Sequence, residues 1–246
     1  VRIALMADIH ANRGAFEACL EHARLRSADR FAFLGDYVGY GADPSWVVER
    51  VMEMAERGAV AVLGNHDLAV SDPRESLTAD AEVVLAWTRG QLGPAARGFL
   101  ASLPMRFEDE TRLYVHASAQ THPRWPYVDG PGSAQRALGA SRAQLVFCGH
   151  VHAPSLYGIN ASGKLISFQP VQGIPIPLPR HRRWLAVLGS VGQPRDGNTS
   201  ASYTMLDTNR NELTYHRVAY DVEAAASRIR RAGLPASLGD RLLRGA

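Results

Sequence analysis

The 246-residue sequence predicts an α/β fold: two packed mixed β-sheets flanked by helices, an α-β-β-α sandwich. Three observations carry this. Over the first two-thirds of the chain, short apolar runs alternate with helix-period stripes, the rhythm of parallel strands joined by crossover helices. Further on, short β-like runs follow one another between Gly, Pro and Asn turns, the pattern of antiparallel strands. A hydrophobic content of 46% over this length supplies one shared core, so residues 1–246 are expected to form a single domain.

Taken in order, Ile3–Ala7 is a short apolar run of the kind that suits a strand buried on both faces. Asn12 can cap a helix whose Ala15, Phe16, Cys19, Leu20 and Ala23 share one stripe. Phe31–Leu34 is the next strand. Pro44 opens a helix carrying Val47, Val48, Val51, Met52 and Ala55, stopped by Gly58. Ala59–Leu63 is the third strand. Thr78 to Leu103 reads as two helices broken at Gly93-Pro94. Leu113–Val115 and Gln144–Cys148 are strands. Antiparallel strands are expected at Leu156–Ile159, Leu165–Phe168, Trp184–Leu188, Tyr203–Asp207 and Leu213–Val218. Helices at Asp221–Arg231 and Pro235–Arg244 close the chain.

Composition narrows the functional classes. Lys and Arg total 27 against 24 Asp and Glu, a net charge of +3, which gives no ground for a nucleic-acid partner. The opening apolar run stops at Asp8, far short of a membrane span or signal peptide. Cys19 and Cys148 lie far apart in apolar contexts and read as reduced core residues of a cytoplasmic protein.

The chemistry gathers at strand ends. Asp8, Asp36, Asn65, His116 and His150 each lie just past a predicted strand, and in parallel sheets those loops meet on one rim where ligands bind. Asp8-Ile9-His10, Gly35-Asp36, Gly64-Asn65-His66-Asp67 and Gly149-His150-Val151-His152 offer more carboxylate, imidazole and amide groups than one metal ion can use. Two divalent ions could use them all, which is the chemistry of phosphoester hydrolysis. Mixed nitrogen and oxygen ligation suits Mn, Fe, Zn or Co better than Ca.

In their order and placement these blocks, with His116, resemble the calcineurin-like metallophosphoesterase superfamily, and within it the small prokaryotic phosphodiesterase-like branch. The resemblance implies that Asp8, His10 and His152 hold one metal, Asn65, His116 and His150 the other, and that Asp36 bridges both. It implies in-line attack on phosphorus by a hydroxide bridging the two metals, with His66 donating a proton to the departing oxygen. Two carboxylates against two divalent ions leave a charge of about +2 to bind phosphate oxygens. The implied substrate is a phosphorylated small molecule or nucleotide. The alternatives are a phosphomonoesterase or protein phosphatase, or a catalytically silent metal-binding scaffold.

The chain departs from the superfamily's phosphoprotein phosphatases, which carry Asp-Arg where it has Gly39-Tyr40. His66 must then be oriented otherwise, with Asp67 or Asp43 as candidates. Asp67 alone reads as a helix-start residue that meets free backbone N–H groups. In the Gly189–Gly197 run, Arg195 offers a bidentate fork for phosphate. Arg180-His181-Arg182-Arg183 could hold a second phosphate or be a solvated loop. His22, His122, His181 and His216 read as surface residues, with His122 the one that could approach the rim.

Overall fold

The computed structural model describes residues 1–72, 79–120 and 125–246, with 79–81 described by backbone alone. Two six-stranded sheets face each other. In the first, β1 (Arg2–Met6) lies between β2 (Arg30–Phe33) and β11 (Ala201–Asp207). Outside β2 runs β3 (Val60–Ala61), and outside β11 run β12 (Glu212–Val218) and the two-residue β9 (Ile176–Pro177). The second sheet is ordered β4 (Arg106–Asp109), β5 (Arg112–Val115), β6 (Leu145–Cys148), β10 (Arg182–Val187), β7 (Ser155–Asn160) and β8 (Leu165–Phe168).

Alternation along β1 shows how the layers form. Ile3, Leu5 and Ala7 point between the sheets, where they meet Leu34, Val62, Phe147, Trp184 and Leu206. Ala4 and Met6 point outward to a helical layer through Phe16, Val47, Val48, Val51 and Leu100. That layer contains α1 (Arg13–Leu25), α2 (Pro44–Glu56) and α5 (Pro94–Ser102). On the far side, Ala134, Ala137 and Leu138 of α6 (Pro131–Gly139) cover Leu113, Val146 and Leu185. Each fully buried Leu or Phe contributes about 1.5–3 kcal/mol by leaving water.

The helix starts follow the expected capping chemistry. Asn12 Oδ1 accepts from Ala15 N at 3.2 Å to begin α1. Asp221 accepts from Ala224 N at 2.8 Å to begin α7 (Val222–Arg231). α7 packs on α8 (Ala236–Arg244), and Ile229, Leu238 and Leu242 enclose Val84 of α4 (Ala79–Gln91). Among the described residues, no helix is long and apolar enough to cross a membrane.

Some sequence expectations need correction. Trp184–Leu188 was expected to be antiparallel, but β10 runs parallel to β6, Trp184 opposite Leu145, and antiparallel only to β7. The third strand shrinks to Val60–Ala61. Three elements carry too little local signal to be expected. They are the exposed, polar β4; the two-residue β9; and α6, which opens on Pro-Gly-Ser and buries three apolar residues. α3 (Asn65–Ser71) carries Asp67 in its first turn, as the helix-start reading of that residue expects. Thr78 lies outside the described residues.

The topology has a direct consequence for the site. β1, β2 and β3 run parallel in one sheet, and β5, β6 and β10 in the other. The segments leaving their C-terminal ends converge on one rim: Asp8 N donates to Gly35 O, Gly149 N to His116 O, and Val191 N to Ala7 O.

Candidate metal centre

The loops at this rim bend sharply because their own functional residues adopt left-handed backbone. Asp8 (φ 55°), His10 (47°), Asp36 (56°), His150 (67°) and His152 (64°) all lie in the region that L-residues avoid. Each such residue costs about 1–3 kcal/mol and persists only where packing over-determines it. Here the surrounding sheets and helices do so, and the turns aim five side chains inward. Asp8, His10, Asp36, Asn65, His66, His116, His150 and His152 are all buried.

Hydrogen bonds to carbonyls set the imidazoles. His10 Nδ1 donates to Val38 O at 3.0 Å, His152 Nδ1 to Gln193 O at 2.7 Å, and His116 Nδ1 to Leu34 O at 2.7 Å. A carbonyl only accepts, so each Nδ1 carries a proton; the neutral rings of His10 and His152 then turn a bare Nε2 lone pair inward, and His116 presents its Nε2 once a cation displaces the proton there. The Nε2 atoms of His10 and His152 then face each other at 3.1 Å with no proton to share. His116 Nε2 stands 3.1 Å from His150 Nδ1, 3.1 Å from Asn65 Oδ1 and 3.3 Å from Asp36 Oδ2. Lone pairs packed this closely repel unless a cation lies among them, so the donor set fits divalent metals of borderline softness.

Among the described residues, three groups have ligand atoms within 4.8 Å of one another: Asp8, His10 and His152; Asp36, His116 and His150; and His10, Asp36 and His66. Asp36 belongs to two of them. The third group was not expected, because the resemblance set His66 outside the ligand sets.

The electrostatics agree. Burial pushes Asp8 up to about 7, with His116 pulling the other way. Burial also opposes charge on Asp36, yet His116, His66 and His10 around it hold it well below the usual carboxylate range. Burial disfavours protonation of His116, but Asp36 outweighs it and raises the imidazole to about 9. Burial drives His150 down to about 3 and lowers His10, His66 and His152, leaving neutral rings whose lone pairs can bind a cation.

Neither acid proposed to orient His66 touches its ring. Asp67 accepts instead from the backbone amides of Asp36 (2.7 Å), Tyr37 (2.9 Å), Val38 (3.3 Å) and Gly64 (3.0 Å), so it ties the second and third motifs together. Asp43 is paired with Arg228, whose Nε lies 2.9 Å away. His66 Nδ1 is buried without a hydrogen-bond partner among the described residues. The ring is held by packing, between Tyr40 at 4.7 Å and His10 at 5.0 Å. It also rests on Gly39, where a Cβ would come within 2.4 Å of Nδ1.

Arg195 reaches the rim. Its N–H donates to His152 O at 3.1 Å, and its guanidinium grips Gln193 Oε1 at 2.9 Å and lies 5.7 Å over the Tyr40 ring. The Arg180–Arg183 cluster does not reach it. Arg182 and Arg183 open β10 at the opposite end of the strands, and Arg183 is spent on the carbonyls of Leu138, Ser141 and Ala143. His181 is exposed, while His22 and His216 are half-buried against Tyr203; His122 lies outside the described residues. Three site residues escaped the sequence reading: Tyr40, Gln193, and Tyr127, which stacks on His150 at 4.1 Å. The departure at Gly39-Tyr40 was a signal for the first; loop residues such as Tyr127 give none.

Comparison with known proteins agrees with this geometry. A calcineurin-like phosphoesterase superfamily domain matches residues 1–211. The crystal structure of a metallophosphoesterase from Sphaerobacter thermophilus is similar at 35% identity and a TM-score of 0.87, covering 100% of this chain and 99% of its own. An uncharacterized protein of Methanocaldococcus jannaschii is 32% identical over 250 residues, 99% of this chain and 98% of its own. A hypothetical protein from Pyrococcus horikoshii OT3 shares the fold, with a TM-score of 0.77 at 19% identity over 100% of this chain and 98% of its own. By sequence and by fold, the chain belongs to the calcineurin-like phosphoesterase superfamily.

Proposed function

We propose that the protein is a two-metal phosphoesterase acting on phosphodiester or nucleotide polyphosphate bonds. Asp8, His10 and His152 would hold one cation and Asn65, His116 and His150 the other, with Asp36 shared. The observation that carries this reading is the opposed pair of bare Nε2 atoms on His10 and His152, 3.1 Å apart, beside the shared Asp36. Bound there, divalent cations supply Lewis acidity that activates water and stabilises charge on phosphate oxygens.

The remaining work falls to this chain's own groups. Arg195, held by Gln193 and the Tyr40 hydroxyl, presents its guanidinium to the phosphate and fixes its orientation. His66, its Nδ1 against Gly39, gives a proton from Nε2 to the departing oxygen. Burial lowers its pKa and leaves the free ring neutral; an anionic phosphate beside it favours the imidazolium, whose proton is then given up to the departing oxygen. The buried rim excludes bulk water from the reacting atoms, which strengthens each of these interactions. We also place the chain, as one domain, in a reducing cytoplasm, in keeping with the free, buried Cys19 and Cys148.

The test is hydrolysis of bis-p-nitrophenyl phosphate, p-nitrophenyl phosphate and diadenosine tetraphosphate by protein reconstituted with Mn, its metal content verified. Turnover of the diesters or the polyphosphate above the monoester is expected. Preference for the monoester would favour a phosphomonoesterase, and no turnover with both cations bound would favour a silent scaffold.

A further inference from the structure

Beside the metal centre, and sharing His10, Tyr40 and Gln193 with it, lies a cavity of about 350 Å³. Its far wall is the α7–α8 hairpin, which presents Ala224, Ala225, Ile229 and Leu242. The hairpin follows the stretch, residues 1–211, that matches the superfamily domain. The cavity thus sets a wall from outside the matched stretch against a centre built from inside it. Such a wall can vary without disturbing the chemistry, and it suits a specificity determinant.

The lining argues for a particular occupant. Three carboxylates, Glu17, Asp43 and Asp221, face two guanidiniums, Arg13 and Arg228. Both guanidiniums are already paired, Arg13 with Glu17 at 3.1 Å and Arg228 with Asp43 through Nε at 2.9 Å. A second phosphate would meet surplus negative charge here. A hydroxyl or amine donor would instead meet acceptors, with the apolar α7–α8 wall beside it. One donor also stands ready. Gln193 Oε1 takes two hydrogen bonds from Arg195, which fixes the amide orientation, and its Nε2 is buried with no acceptor among the described residues. Leaving such a group unpaired is costly, and a ligand acceptor would satisfy it.

We propose that this cavity receives the uncharged, hydroxyl-bearing organic group of a phosphodiester, of nucleoside size, while its phosphate lies at the metal centre. This rests on the phosphoesterase reading above and narrows it away from polyphosphate chains. The volume suits such a group, because small-molecule pockets begin at about 300 Å³.

The experiment compares two diesters that release the same product, the p-nitrophenyl ester of thymidine 5′-phosphate and methyl p-nitrophenyl phosphate. Metal-reconstituted wild-type protein is expected to favour the thymidine ester by at least about tenfold in kcat/KM. Ala224→Phe and Ala225→Trp fill the cavity from α7, and Ala224 is exposed, so the first leaves the fold intact. Both should bring the thymidine ester to within about twofold of the methyl ester, whose own rate stays near wild type. Equal wild-type rates for the two esters, or a preference the variants leave unchanged, would overturn the proposal. Calorimetry of thymidine 5′-monophosphate binding to metal-reconstituted protein gives a second readout. Affinity should fall about tenfold in the variants, and equal affinity would count against the cavity. If wild type hydrolysed neither ester yet bound the nucleotide in a manner the variants abolish, the phosphoesterase reading would fail and the cavity would stand.

Discussion

Asp36 joins the two halves of the rim. Its Oδ1 accepts the His66 amide at 2.9 Å, while Oδ2 faces His116 at 3.3 Å and His10 at 3.7 Å. On the two-metal reading proposed above, Asp36→Asn keeps the shape and removes the charge that both ligand groups would share, so metal content should fall from about two per chain toward zero. Asn65→Ala removes a donor from one group only, and elemental analysis should find about one metal retained. Loss of a single metal from Asp36→Asn would show that it does not bridge. Protons compete with cations at the same atoms. Asp8 at about 7 and His116 at about 9 are protonated below those values and bare above them. Cation binding must displace those protons, so affinity should rise as pH climbs from 6 to 9. Calorimetry in buffers of different ionisation enthalpy should find roughly one to two protons released at pH 7 and about none at pH 10. Substitution of His66 tests the proton-donor role proposed for it. His66→Ala should lower kcat by about 10²–10³ with metal content near wild type, whereas parallel loss of metal would make it a ligand within the group it forms with His10 and Asp36.

Among the elements, the turn into α3 lies hard against the second motif. A Cβ on Gly64 would lie 2.2 Å from both the amide nitrogen and Oδ1 of Asp36. Gly64→Ala must therefore push two motif loops apart, with a loss of about 1–3 kcal/mol read as a lower Tm, together with weaker metal retention. An unchanged Tm and metal content would mean that the loops can part freely. This turn also shows where sequence reading succeeds and stops. The apolar run into Leu63 and the Gly-Asn-His-Asp after it are local signals, and they place Asn65 and His66 at the rim without reference to the rest of the chain. That Asp67 reaches back to the amides of Asp36, Tyr37 and Val38 is set by how β2 and β3 lie side by side, which neither segment encodes alone. The direction of β10 was hidden for the same reason: alternation along Trp184–Leu188 fixes its faces and says nothing of its neighbour. Tyr40 is marked only by the departure at Gly39-Tyr40, while Gln193 and Tyr127 act through a backbone carbonyl and ring stacking that no spacing marks.

At the scale of the whole molecule, the layer of helices must stay closed over the first sheet for the rim to keep its shape, and one contact in that layer is sensitive to pH. His22 of α1 donates or accepts through Nδ1 at 2.8 Å from the Tyr203 hydroxyl of β11, and its ring stands edge-on to His216 of β12 at 5.2 Å. His216 stacks on Tyr203 at 5.0 Å. Burial, then His22 and Arg26, lower His216 to about 4, against an ordinary value of 6.5. The sign follows from proton counting. Between pH 6.5 and 4 the unfolded chain holds a proton on this ring and the folded chain does not, so stability rises with pH across that window. The contribution is fully present above 6.5, is lost as pH falls through the window, and is spent below 4. His22, also lowered by burial, adds to the loss in the same direction. His216→Phe keeps an aromatic ring against Tyr203 and removes the titration. The metal-centre residues titrate equally in both proteins, so the difference between the two Tm profiles isolates His216. Wild-type Tm should fall more steeply than that of His216→Phe between pH 7.5 and 4.5, by a few degrees, and the two curves should run parallel above pH 7. Profiles that run parallel throughout would show that the ring keeps its ordinary pKa and that the layer over the first sheet opens enough to admit water around it.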